Sequence, residues 1–177
     1  FRRIGNWKPF LKNGPEGSFS SREIWAIPWP IQVNNELWFY YSGSNRDHAG
    51  RRDFSADQNK NGIGRAVMRL DGFVSADASY SGGQLLTQPF KFQGDTLKLN
   101  VDTSAGGCVF VEILDNQGDP IPGFTKKDCF PVVGNSVSMP VRWKGDNNLS
   151  ELNNKLVQLR FYMKDSKLYA FQFSFQS

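Results

Sequence analysis

Apolar and polar residues alternate along most of the chain. Leu97, Leu99 and Val101 are separated by Lys98 and Asn100, and the same period of two runs through Val109, Val111 and Ile113. It returns in Val137, Met139, Val141 and Trp143, in Val157, Leu159, Phe161 and Met163, and in Tyr169, Phe171, Phe173 and Phe175. A strand sends successive side chains to opposite faces, so each run predicts a half-buried strand. Turn-forming clusters separate the runs at Gly106-Gly107, at 116–120, at Gly134-Asn135, at 145–148 and at 164–167. Helical periodicity is confined to one or two turns near Ser150 to Asn154, with Ser150 as the N-cap candidate. Residues 74–177 therefore predict seven or eight short antiparallel strands forming a two-sheet sandwich of jelly-roll type.

Residues 1–73 have a different texture. Ile24 to Val33 and Glu36 to Ser42 are strand candidates joined at Asn34-Asn35, a pair that tolerates positive φ and suits a tight hairpin. Gly62 to Leu70 is a third. Bulky residues fall on both faces: Trp25, Ile27, Trp29 and Ile31 share one phase, and Leu37 to Tyr41 are five large side chains in succession. A sheet apolar on both sides needs cover on both sides, and three strands leave unpaired edges. The expected division is 1–73 and 74–177, all-β throughout.

Composition narrows the function classes. At 39% hydrophobic and 21% charged, the chain is globular in character. The net charge of +4 is uneven: residues 1–72 hold eleven Lys and Arg against seven Asp and Glu, while 73–177 balance at ten against ten. Acidic residues interleave with the basic ones and no nucleic-acid module is recognisable, so no nucleic-acid partner is expected. The most apolar stretch, Ile24 to Val33, contains two prolines and a glutamine, so no membrane partner is expected either. Cys108 and Cys129 lack zinc-ligand spacing; a bridge between them and two separate buried thiols are both open. Asn148-Leu-Ser150 matches a glycosylation sequon. Phe1 in place of Met leads to the expectation of a removed leader or of upstream sequence.

Several motifs carry a resemblance. Residues 22–30 (Arg-Glu-Ile-Trp-Ala-Ile-Pro-Trp-Pro), the strand Leu37 to Gly43, Asn45-Arg-Asp-His48 and residues 64–74 resemble the last blade and exit strand of five-bladed β-propeller glycoside hydrolases, arabinanase-like and invertase-like. Val141 to Gly145, Asp119 to Phe124 and Leu159 to Phe161 resemble the β-sandwich that follows such propellers. The resemblance implies a jelly-roll-like antiparallel β-sandwich preceded by a partial β-propeller blade. It also implies that the chain is the C-terminal part of a secreted or periplasmic glycoside hydrolase whose partner is carbohydrate. The essential acids of those families lie on earlier blades, so no residue here is assigned a catalytic role. Two other readings stay open: a non-catalytic carbohydrate-binding module, and a structural module whose blade packs on missing blades or self-associates.

In a blade the strands alternate direction, so the connection entering the first strand and the one leaving the second open at the same end. That brings together Arg22, Glu23, Arg46, Asp47 and His48 as the candidate substrate site. Arginine forks bind hydroxyls and carboxylates well. A last-blade histidine reaches the central channel in arabinanase-like enzymes, often near a cation, which suggests a supporting role for His48. The spacing departs from that pattern, so no metal or other cofactor is assigned. The competing reading of the same residues is a solvated loop whose histidine caps a turn. Arg51, Arg52, Asp53 and Asp57 read as surface charges, and Gly62-Ile-Gly64 as a strand start. Trp7, Trp25, Trp29 and Trp38 suit either sugar stacking or packing between blades. Trp143 reads as core, with Tyr80, Phe124 and Phe130 as candidate exposed platforms.

Overall fold

A computed structural model describes residues 8–48, 60–145 and 147–175. Trp7, Arg51, Arg52, Asp53 and Asp57 lie outside them. The fold is all-β, with one antiparallel sheet in each of two compact units, Phe1–Leu70 and Asp71–Ser177.

The first unit holds β1 (Glu23–Ala26), β2 (Ile31–Val33), β3 (Glu36–Ser44) and β4 (Asn61–Arg69). β3 is central, with β4 along one side and β1 and β2 along the other. The single strand expected over Ile24 to Val33 is broken in two because Pro28 and Pro30 have no N–H to donate to the ladder. Asn34 turns β2 into β3 with φ of 54°.

The two faces of this sheet end differently. Leu37, Phe39 and Tyr41 point to one face, which the chain's own preceding segment covers. The Phe10 ring meets Phe39 edge-on at 5.1 Å and Phe19 stacks on Tyr41 at 6.1 Å. Gly62 admits the Phe19 ring, since a Cβ there would come within 3.0 Å of it. The register places Trp25, Ile27, Ile31, Ile63 and Val67 on the opposite face, where all five are exposed.

The second unit holds β5 (Ala76–Ala78), β6 (Gly83–Leu86), β7 (Thr96–Leu114), β8 (Asn135–Pro140) and β9 (Gln158–Ser174). β7 and β9 pair along nearly their whole length, β8 flanks β7, and β5 and β6 pair with different stretches of β9. Five strands thus replace the seven or eight expected. The Gly106-Gly107 and 164–167 clusters are corners within continuous strands: the β7–β9 register jumps from Thr103↔Ser166 to Cys108↔Lys164. Gly107 is required there because a Cβ would run into the carbonyl oxygen of Asp165, itself in the left-handed region at φ 42°.

The corner makes a sandwich out of one sheet. Phe161 and Phe171 are ten residues apart on β9, roughly 33 Å along a straight strand. Their ring centroids lie 5.7 Å apart. β9 therefore doubles back, as strands do where they pass from one layer to the other through a bulge. Leu97, Leu99 and Val101 before the corner and Val109, Val111 and Ile113 after it join one core with Leu159 and Phe161. All eight are inaccessible to solvent, each contributing about 1.5–3 kcal/mol of burial. Among the described residues the one helical turn is 3-10, Leu149–Leu152, and its cap is Asn148 rather than Ser150: the Ser150 amide donates to Asn148 Oδ1 at 2.9 Å.

Candidate functional site

The register of β1 on β3 pairs Glu23 with Ser44, so the segments before β1 and after β3 share one end of the first sheet. Arg22 N donates to the Ser44 carbonyl at 3.1 Å, and Asn45 N to that of Lys60 at 3.1 Å. At this end Asn13, Arg22, Glu23, Ile24, Trp25 and His48 line a shallow cavity of about 370 Å³.

Its chemistry is mixed. The Glu23 carboxylate is mostly enclosed, with 17% of the side chain exposed, and the His48 imidazole stands nearly free at 89%. His48 Nδ1 lies 4.0 Å from Glu23 Oε1, the outer limit of an ion pair. The Trp25 indole is tilted 58° to that imidazole with centroids 6.4 Å apart. Arg22 is committed elsewhere, pairing with Glu16 Oε1 at 2.9 Å. Asn13 Nδ2 donates to the carbonyls of Arg22 at 2.7 Å and Ser21 at 3.3 Å, tying the covering segment to the strand that carries the site.

Of the five residues expected there, Arg22, Glu23 and His48 line one cavity. Arg46 and Asp47 occupy the same bend without lining it; the Arg46 amide donates to Ser44 Oγ at 3.1 Å. Asn13 and Glu16 were not foreseen. They lie in an irregular segment without periodicity, where the Asn13-Gly14-Pro15 triplet offers a turn signal and nothing that points to a site. Trp29 is 80% exposed, whereas Trp38 carries the Arg65 guanidinium 3.9 Å above its ring and donates to Glu36 at 2.7 Å.

The second unit has a polar cluster on the outer face of the sandwich. Glu112 is buried and fully engaged: Oε1 accepts from Lys126 N at 3.2 Å, and Oε2 from Arg160 Nη1 and the Tyr162 hydroxyl, each at 3.0 Å. Tyr80 and Phe130 are exposed, but Phe124 is core, edge-on to Trp143 at 5.3 Å. Trp143 packs against the core and donates to the Val111 carbonyl at 3.0 Å.

Both cysteines are free thiols. Cys108 shares the outer phase of β7 with Phe110 and Glu112, whereas Cys129 belongs to the core, so the bridge does not form. Burial pushes the Cys129 thiol up to about 11 against the opposing hydrogen bond from Val111. Among the described residues no three His, Cys, Asp or Glu side chains are grouped to hold a metal, and no helix is long and apolar enough to cross a membrane.

No protein-family model and no curated protein matches the chain. Among solved structures it is similar to a glycoside hydrolase family 43 arabinoxylan arabinofuranohydrolase from Bacillus subtilis, determined in complex with cellotetraose. The identity is 13% and the TM-score 0.33, over 93% of this chain and 43% of that one. The chain spans less than half the length of that enzyme, and a likeness this distant carries no argument about chemistry.

Proposed function

We propose that this chain is the C-terminal portion of a propeller glycoside hydrolase, secreted or periplasmic, whose own contribution is to bind glycan at the open end of the first sheet. The observation that supports it most is the convergence of Trp25, Glu23 and His48 on one cavity. A sugar offers an apolar C–H face to an indole and hydroxyls to a carboxylate and an imidazole. Glycoside hydrolysis normally needs two carboxyl groups flanking the scissile bond, about 5–9.5 Å apart. Among the described residues Glu23 is the one acid lining this cavity. Binding without turnover is therefore the activity expected of the chain alone.

Calorimetric titration of the 177-residue chain with cellotetraose and with arabinoxylan oligosaccharides tests the reading. Binding should weaken about tenfold or more in Trp25→Ala and Glu23→Gln, the size of one lost stacking or charge-assisted contact. Release of reducing sugar by the chain itself, or binding indifferent to both substitutions, would overturn it.

The exposed face of the first sheet supports a structural component of the same reading. In the parent chain it is the surface on which a preceding blade packs, and in this chain alone a second copy takes that place.

A further inference from the structure

We infer that the outer face of the sandwich carries a second glycan site, separate from the cavity at Trp25 and selective for acidic saccharides. The inference rests on the reading that the protein handles glycans, and uses none of the residues placed at the first site.

β6, β9 and β7 set Gln84, Tyr162 and Phe110 side by side in register. In the adjacent row Phe161 and Val111 face the core, so these three side chains face outward. They floor a groove of about 450 Å³ that Ser81, Lys126 and Lys164 help to enclose. The floor is thus two aromatic rings and one amide, with a hydroxyl at one rim.

The charge is one-sided. Lys126 Nζ sits 4.2 Å from the Tyr162 centroid and Lys164 Nζ 4.1 Å from that of Tyr80. Among the described residues neither ammonium has a carboxylate partner within ion-pair distance. The acids that adjoin the two lysines in the chain or in the hydrogen-bond network are occupied. Glu112 lies buried beneath Tyr162 with both oxygens taken, Asp128 accepts from Thr125, and Asp165 accepts from Ser104. Glu112 also holds the Lys126 backbone against the sheet, so one of the two cations is presented from a fixed position.

An ammonium resting over a ring at an exposed position is held weakly and is free to exchange the ring for an anion. A saccharide bearing a carboxylate or sulfate supplies what the groove lacks: an anion for the two ammoniums, a C–H face for Phe110 and Tyr162, and hydroxyls for Gln84 and Ser81. A neutral sugar would leave both charges uncompensated and gain less.

Calorimetric titration of the 177-residue chain at low ionic strength with tri-galacturonate, with a sulfated carrageenan oligosaccharide and with cellotetraose decides the matter. At least one acidic ligand should bind about tenfold or more tightly than cellotetraose, the effect of one or two charge-assisted contacts, and which of the two does so identifies the anion. Salt should erode that preference, Lys126→Gln combined with Lys164→Gln should abolish it, and Trp25→Ala should leave it intact. Equal binding of acidic and neutral ligands, or an acidic preference that survives the double lysine substitution, would overturn the inference. Cellotetraose binding that depends on Trp25 without any acidic preference would sink this site and leave the first standing. An acidic preference carried by the lysines, with cellotetraose binding unchanged by Trp25→Ala, would do the reverse.

Discussion

Two neighbouring glycines separate space from composition at the residue scale. A Cβ on Gly107 would collide with the Asp165 carbonyl, a backbone atom that cannot swing aside, whereas one on Gly106 would meet only the Tyr80 ring edge at 3.9 Å. Gly107→Ala is therefore expected to cost about 1–3 kcal/mol by overpacking, and Gly106→Ala close to nothing, in urea denaturation of the two variants. Cys129 carries a pH signature. Its folded-state pKa lies above the ordinary 9.0, so the unfolded chain sheds the proton first as pH rises. The thiol's contribution is fully present below pH 9 and is lost between 9 and about 11. The fall in urea midpoint across that window should be smaller in Cys129→Ala than in the native chain. At pH 8 a thiol reagent should label Cys108 and leave Cys129 untouched until the protein unfolds.

The elements show which signals survive folding and which need a partner to be read. Asn34 occupies the left-handed region at φ 54° in the β2–β3 hairpin, as the Asn34-Asn35 pair had implied. Asn34→Gly should therefore be tolerated, and Asn34→Val should cost about 1–2 kcal/mol for the Cβ strain, measured by thermal unfolding. The alternating runs were legible because burial on one face imposes a period of two whatever the neighbours are. The strand count was not. Gly106-Gly107 has the composition of a hairpin turn, and what makes it a corner is the closeness of Asp165, some sixty residues away. The site divides the same way. Arg22, Glu23 and His48 converge because strand direction alone brings their segments to one end of the sheet. Arg46 and Asp47 sit in a bend whose side-chain directions no period specifies, and Asn13 reaches the site from an irregular segment that folds back over the sheet.

At the scale of the whole molecule, the first unit poses a problem of unequal faces. Phe10 and Phe19 close one side of its sheet from within. On the other side Ile63 is 79% exposed, Ile31 55%, Ile27 53%, Trp25 49% and Val67 47%, all on one surface by register. Contiguous apolar area of this kind on a protein surface marks a contact surface, and β4, paired among the described residues only with β3, adds an edge strand beside it. Burial of even part of this surface against a second copy supplies the favourable term for association, at about 25 cal/mol per Å² before the entropy of pairing is subtracted. The chain should therefore sediment above its own 20.0 kDa, with the mass rising with concentration. Ile63→Glu together with Val67→Lys puts charge along the β4 side of the face without touching the covered side, and should return the mass to that of one copy. A native chain that stays monomeric at every accessible concentration would show that this face needs no cover, and with that the argument for a preceding blade would lose its physical basis.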